Sequence, residues 1–251
     1  MWAELGRWQG VVLVAMVSSS TLWLSATDQL GLYVAPRHVG FAVAMAAVGL
    51  AAVLASIVRG RGHHDEHASA WAQMLSRSGT ILALLVAGTL LVLPPATLSS
   101  ATASQRDINS TAVGGRLGDE DRAVQDAAAK PDAAFAGFSV FDWATLLRQT
   151  SDPSFYDGKP VDVVGFITAD AEDPENMFYV SRFLITHCAI DAQPVGVPVY
   201  LENWKSSFEP DQWVRASGAL VANRSADSGQ QIALLPRDIA RVDQPSDPYL
   251  Y

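Results

Sequence analysis

Hydrophobic and polar positions follow two different patterns in the two halves of the chain. Residues 10–26, 39–58 and 79–98 form three apolar runs that carry no charged residue. Each run approaches the about 20 residues that an α-helix needs to cross the hydrocarbon core of a bilayer. Three such runs separated by short charged loops favour membrane spans over buried helices of a soluble protein. The pattern therefore predicts three transmembrane helices within residues 1–98.

The second half shows the patterns of a small mixed domain. An amphipathic run over residues 139–148, opened by the capping residue Ser139, predicts a short helix. Alternation with period two then predicts five strands, at residues 160–169, 177–188, 196–201, 213–221 and 231–242. Five short strands joined by turn-rich loops are typical of a Greek-key barrel, and their order resembles the oligonucleotide/oligosaccharide-binding (OB) fold. Gly165 and Gly218 are expected where strands bend sharply around that barrel.

The predicted fold class is α+β, with N-terminal transmembrane helices followed by a small extracytoplasmic five-stranded β-barrel of OB-like type. Residues 1–98 are predicted to form the membrane domain and residues 138–251 the β domain. The segment 99–137 between them is rich in Ser, Thr, Ala, Gly and Asp. Such a composition has too few large apolar residues for a core, so this segment is predicted to be a flexible linker.

The distribution of charge predicts the topology and excludes one class of partner. Residues 1–100 contain five basic and four acidic residues, so residues 101–251 hold the other 12 of 17 basic and 22 of 26 acidic residues. An acidic domain repels phosphates, and we expect no nucleic-acid partner. The loop 59–78 carries three arginines and the loop after the first run only Arg37, which places the N-terminus in the cytoplasm and the β domain outside. A rival interpretation makes the first run a signal peptide cleaved after Ala26.

Two groups of residues could bind a metal such as zinc. His187, Cys188 and Asp191 combine imidazole, thiolate and carboxylate donors around the single cysteine of the chain. They would need further ligands, and in a strand His187 and Cys188 point to opposite faces. Cys188 packed in the core, with Asp191 capping the next turn, is the competing interpretation.

The second group, His63, His64 and His67, belongs to the predicted cytoplasmic loop, where short His-rich tracts bind such ions weakly. A solvated loop whose arginines set the topology is the alternative. The sequence contains no Gly-rich phosphate loop, no hydrolase elbow and no Cys-x-x-Cys pair, and we expect no enzyme.

Several phrases resemble an uncharacterised bacterial membrane-protein family. They are LYVAPRH (residues 32–38), FYDGKPV (155–161), VGF (164–166), SRFLITHCAIDAQPVGV (181–197) and WVRASG (213–218). The family is described as one subunit of a two-gene permease, with a C-terminal domain of unknown function. Its motif usually carries two adjacent cysteines. His187 replaces the first here, which excludes a vicinal dithiol and leaves Cys188 and Asp191 as the matching positions.

The resemblance and the apolar runs together predict the accessory subunit of a membrane permease. No ionisable residue lies inside the three runs, so we expect the chain alone not to form a transport path. Small residues in the second run, Gly40 and Gly49 among them, would allow close packing against a helix of a polytopic partner in the bilayer of a bacterial cell. The outer domain would dock on that partner or present solute to it. The alternative is a membrane-tethered binding or metal-sensing module without a transport role.

Overall fold

A computed structural model describes residues 2–59, 98–110, 124, 126–127 and 129–251 of the chain. The chain divides into two compact units, Met1–Ala96 and Thr97–Tyr251. Each unit has its own internal packing and is described separately below.

The described part of the first unit, residues 2–59, forms two helices joined by a tight connection. Helix α1 covers Trp2–Ala26 and helix α2 covers Pro36–Arg59. Proline at the first position of α2 suits a helix start, because its missing N–H would have no partner there. The chain reverses between the helices through Asp28, whose φ of 56° is left-handed, and a short 3-10 helix at Leu30–Leu32.

One helix in the described part of the chain is long and apolar enough to cross a membrane. It is the Pro36–Val58 portion of α2, which is 23 residues long. The apolar portion of α1, Gly10–Ala26, is shorter. The third predicted span lies outside the described residues except for Leu98, and so does the His63–His67 tract.

Small side chains let α1 and α2 approach closely. A Cβ at Gly49 of α2 would lie 2.5 Å from Ser18 Oγ and 3.4 Å from Val14 of α1, so a larger residue does not fit without a shift. Ser18 is buried at this contact. Gly40, by contrast, has nothing within 4 Å of the position of a Cβ. Of the two glycines proposed for contact with a partner, Gly49 is therefore already used inside this unit, and Gly40 is open.

The second unit is a mixed α+β domain. Within the described residues it has six strands in one sheet: β1 (Val161–Ala169), β2 (Met177–Leu184), β3 (Gln193–Tyr200), β4 (Trp213–Ala222), β5 (Ile232–Arg241) and β6 (Tyr249–Leu250). Its helices are α3 (Ser100–Ala103), α4 (Val140–Gln149) and α5 (Pro153–Tyr156). The five predicted strands and the predicted helix are present, with shifted ends.

Each of the five long strands pairs with two of the other long strands, so the pairings form a cycle that begins and ends at β1. β1 pairs with β2, β2 with β3, β4 with β1 and β5 with β4, all antiparallel, and β3 meets β5 in parallel at Val199 and Leu234. The short β6 adds to the far end of β2. Gly165 lies against the Ser181 carbonyl and Gly218 against the Leu235 carbonyl, where no Cβ would fit. The register shifts between Ser217 and Gly218 of β4, which pair with Asp238 and Pro236 of β5, so Arg237 is the extra residue of a bulge in β5 that bends this strand.

Alternate residues of every long strand enter one apolar core that α4 covers. Helix α4 begins at a capping box in which Ser139 Oγ accepts from the Asp142 N–H and Asp142 accepts from the Ser139 N–H. Its Trp143 is fully buried against Phe135, with ring centroids 5.6 Å apart. Phe135 belongs to a short 3-10 helix at Asp132–Gly137, so the core begins earlier than the predicted boundary at residue 138.

Two predictions of segment boundaries need correction. Strand β2 ends at Leu184 and not at Cys188, because the chain turns there and Ile185 N–H bonds to the Leu250 carbonyl of the unpredicted strand β6. Residues 98–110, most of them assigned to the flexible linker, are held on the sheet domain by hydrogen bonds described below. Ala103 in this segment is completely buried.

Candidate functional site

The loop between β2 and β3 holds the three residues predicted to form a metal or thiol site. Because β2 ends early, His187 and Cys188 lie in this loop and not on opposite faces of a strand. Asp191 closes the loop: its carboxylate accepts from the backbone N–H of Thr186 at 3.0 Å and of His187 at 2.8 Å. Its own N–H bonds to the Cys188 carbonyl. Asp191 thus caps the turn, as the competing interpretation expected.

Asp191 also orients the imidazole of His187. His187 Nδ1 lies 2.9 Å from Asp191 Oδ2. Burial opposes ionisation of Asp191, but the hydrogen bonds from His187, Thr186 and Cys188 together lower its pKa. The carboxylate is therefore ionised at neutral pH and fixes one ring nitrogen of an imidazole that is 67% exposed.

Cys188 does not pack in the core and does not complete a group of ligands. It is half-buried, at the start of the short 3-10 helix Ala189–Asp191. Among the residues that the structure describes, no three or more His, Cys, Asp or Glu side chains come together to hold a metal ion. Of the three predicted ligands, the structure brings together the side chains of His187 and Asp191. Ile190, directly before Asp191, is 86% exposed at the tip of the loop.

Arg182, in the same motif, holds the C-terminal segment in place. Its Nε donates to the Pro248 carbonyl at 3.2 Å and its Nη2 to the Asp247 carbonyl. The guanidinium also lies over the Trp213 ring, 5.7 Å from the centroid. Burial lowers its pKa, with Asp247 acting in the opposite direction. These bonds hold the chain where β6 pairs with β2, so this part of the motif has a structural role.

Residues 98–110, called the strap from here on, cross the sheet domain and end at an open strand edge. The Leu98 N–H donates to the Tyr249 hydroxyl at 3.0 Å, and the Ser100 N–H donates to Asp211. Further along, Arg106 Nη2 donates to the Ile190 carbonyl at 3.3 Å. The strap therefore contacts the β2–β3 loop that carries His187.

Asn109 is the most heavily bonded residue of the strap. Its Nδ2 donates to the Gly196 carbonyl at 2.8 Å, its Oδ1 accepts from the Gly196 N–H at 2.9 Å, and its N–H donates to the Pro194 carbonyl. Among the residues that the structure describes, strand β3 pairs with β5 at Val199 alone, so no described strand lies along the backbone edge of its first half. Pro194 and Pro198 carry no N–H, which leaves Gly196 as the donor that Asn109 satisfies.

The strands beneath the strap are buried on both sides. Their inner side chains belong to the core, and their outer side chains form what we call the outer face: Phe166, Thr168, Tyr179, Ser181 and Phe183. Phe166 and Phe183 stack with centroids 5.4 Å apart. All five are buried, although they point away from the core. Within the described residues, the hydroxyls of Thr168 and Ser181 have no hydrogen-bond partner.

A groove of about 560 Å³ lies between the strap and the β1–β2 loop. Its polar lining contains Arg106 and Asp107 of the strap together with Asp170, Glu172, Tyr179 and Gln230. Burial, and then the neighbouring Asp170, raise the pKa of the Tyr179 hydroxyl. Tyr179 therefore stays protonated and donates to Asp170, whose other bonds come from the backbone N–H groups of Glu172 and Asp173.

The β1–β2 and β4–β5 loops are joined at this end of the sheet. Ser225 donates its hydroxyl to Asp173 Oδ2 at 2.6 Å, and the Gly229 N–H donates to Glu172. The hydroxyl of Ser225 is the main cause that lowers the pKa of Asp173, with Asn176 adding to it and burial opposing it. The loops thus form one connected rim beside the outer face.

The family comparison concerns the second unit. A family model described as the DUF1980 C-terminal domain matches residues 141–251. This part of the chain is a DUF1980 C-terminal domain. The match fits the resemblance to an uncharacterised family with a C-terminal domain of unknown function. None of the curated proteins matches the chain.

The matched DUF1980 segment includes all six strands but not the strap. It begins at residue 141, within α4, while the strap ends at Ser110. The strap is therefore an addition from outside the matched segment that packs on the DUF1980 domain. Sequence reasoning missed it because its Ser- and Ala-rich composition resembles a linker. Asn109 was the available signal, as an amide able to pair with both groups of one peptide unit.

Proposed function

We propose that the protein is a membrane-anchored accessory subunit of a permease, and that its outer domain docks on a polytopic partner or presents solute to it. The outer domain is in this proposal an OB-like barrel. The order of pairing β1–β2–β3–β5–β4–β1, with a parallel contact between β3 and β5, supports that fold. In OB folds the face of β2 and β3, with the β1–β2 and β4–β5 loops, takes the ligand.

The observation that carries the proposal is the exposed apolar surface of α2. Phe41 is 71% exposed and Val58 is 75% exposed, and both lie in the uncharged apolar run of residues 39–58. A helix that exposes such residues needs lipid or another protein around it. Gly40 adds an open position where the backbone of another helix could come close, since small residues at an interface allow tight packing in membranes.

The test compares Gly40→Leu with Gly10→Leu in the full chain. At both glycines a Cβ would have no atom of the described residues within 4 Å, so the two changes are matched in their surroundings within this unit. A polytopic membrane protein should co-purify with the wild type and with Gly10→Leu, and should be lost or strongly depleted with Gly40→Leu. Equal recovery with both variants would contradict a partner contact at Gly40 of α2. If the wild type purifies only as a monomer or homo-oligomer, and its deletion leaves transport unaffected, the proposed permease partner is contradicted.

The proposed location is a bacterial cell membrane, with three spans, the N-terminus in the cytoplasm and the DUF1980 domain outside. The arginines of the 59–78 loop support this orientation through the positive-inside rule. A reporter that works only in the cytoplasm, fused after Tyr251, should be silent. An active reporter would reverse the orientation, and with it the compartment of the outer domain.

A membrane-tethered metal-sensing module is the second candidate, and the His187–Asp191 pair favours it. A carboxylate bonded to Nδ1 orients an imidazole as a ligand through Nε2, which is the usual arrangement behind metal-bound histidines. Cys188 is the neighbouring donor. Stoichiometric zinc in the purified full chain, lost with either His187→Ala or Cys188→Ser, would support this candidate. Zinc unaffected by both variants would exclude this loop and point to the His63, His64 and His67 tract.

A further inference from the structure

We infer that the outer face of β1–β3 and the adjoining edge of β3 form a binding site for an extended polypeptide segment, and that the strap is its built-in competitor. The natural occupant is a segment of the permease partner, and this identification of the occupant rests on the proposed function. The existence of the site rests on the contacts of the strap.

The strap contacts the DUF1980 domain as a bound peptide would. It comes from outside the matched segment, crosses the sheet from Tyr249 to Pro194, and buries the small side chain of Ala103 completely. At the β3 edge, Asn109 offers one donor and one acceptor to the same peptide unit, Gly196. A peptide unit of an added strand offers the same pair, which is how β-strand addition recognises extended peptides.

The strap leaves two hydroxyls of the outer face without a hydrogen bond in the described structure. Thr168 and Ser181 are almost completely buried, yet their hydroxyls have no partner among the described residues, and neither does Arg106 Nη1 in the strap itself. Buried polar groups in native proteins are nearly always hydrogen-bonded, because an unmade bond leaves the cost of desolvation uncompensated. An occupant with a donor or acceptor above Ser181 and Thr168 would complement the outer face better than the strap does.

The experiment uses two forms of the full chain in detergent and two synthetic peptides. One form is the wild type, and in the other a Gly-Ser sequence of equal length replaces residues 98–110. The probes are a peptide with the sequence of residues 98–110 and the same peptide with Asn109→Ala, both fluorescently labelled. Circular dichroism on both chains checks that the replacement leaves the β domain folded. Full-chain Asn109→Ala, which keeps every other strap residue, serves as a second test chain if the replaced chain does not fold.

The strap peptide should bind the replaced chain at one site and bind the wild type at least about tenfold more weakly, because the tethered strap competes at a high effective concentration. The Asn109→Ala peptide should bind the replaced chain much more weakly than the parent peptide. Asn223→Ala, a matched amide change in the β4–β5 loop, should leave peptide binding unchanged. A folded replaced chain that binds neither peptide would overturn the inference. Peptide binding without any co-purifying permease would leave the site in place and remove the proposed function alone.

Discussion

The inner and outer faces of β1–β3 are both buried, but they are built differently. The inner face packs apolar side chains of the DUF1980 domain against each other and against α4. The outer face is covered in part by the strap, which lies outside the matched segment, and in part by Trp213, and two of its hydroxyls have no partner among the described residues. Burial alone therefore does not distinguish a core from an occupied surface. The segment that covers each face does: α4 lies almost wholly within the matched segment, and the strap lies outside it.

The largest effect should come from the inner face. Phe178 is completely buried and packs on Trp204, with ring centroids 5.2 Å apart. Phe178→Ala should lower the free energy of unfolding by about 3–5 kcal/mol through lost burial and the cavity that remains. Chemical denaturation of the full chain, followed by tryptophan fluorescence, measures the change. Ile190→Ala at an exposed loop tip is the control and should leave the midpoint unchanged; a similar loss for both variants would contradict this assignment of the core.

A smaller effect should come from the rim of loops beside the outer face. Ser225→Ala removes the hydroxyl that bonds Asp173 and should cost about 1 kcal/mol at neutral pH. Because the pKa of Asp173 is lowered in the folded protein, its contribution is present above the unfolded pKa of about 4 and is lost as the pH falls through the folded pKa. The difference in melting temperature between wild type and Ser225→Ala should therefore shrink on going from pH 7 to pH 3. A difference that persists unchanged at pH 3 would show that the ionised carboxylate is not responsible.

The smallest effect on stability should come from the outer face itself. Thr168→Val and Ser181→Ala each remove a hydroxyl that has no partner in the described structure. Both should be neutral, or stabilising by up to about 1 kcal/mol, since no hydrogen bond is lost with the hydroxyl. Both variants should bind the strap peptide at least as well as their parent when placed in the chain with the replaced strap. Destabilisation by more than about 1 kcal/mol would mean that these hydroxyls do have partners, and the strap would then satisfy the outer face.

The sequence predicted the strands of the DUF1980 domain because alternation with period two is typical of strands, and in β4 this alternation matches one buried and one exposed side. It did not predict β6, since two residues, Tyr249 and Leu250, carry no periodicity and depend on Arg182 bonding to the carbonyls of Asp247 and Pro248. The capping role of Asp191 was among the sequence interpretations, whereas the core position of Cys188 was wrong because β2 ends four residues early.

The composition of residues 98–110 did not predict that the strap packs on the sheet domain. Its contacts come from backbone N–H groups, from Arg106 and Asn109, and from the buried Ala103, and a segment rich in Ser and Ala with such residues is also typical of linkers. The same limit applied to Gly49, which was assigned to a partner but packs on Ser18 of α1. Local pattern indicates that a residue can pack closely, but it does not indicate against which part of the molecule.

Amide hydrogen exchange in the full chain tests the difference between the two faces most directly. If the strap is an exchangeable occupant, the amides of Asn109 and Gly196 open together, without global unfolding, and are protected much less than the amide of Val180 in the middle of β2. Addition of excess strap peptide should then slow exchange at Gly196 and accelerate it at Asn109. Equal protection of Asn109, Gly196 and Val180, unchanged by the peptide, would show that the strap is a permanent part of the fold and would contradict the account.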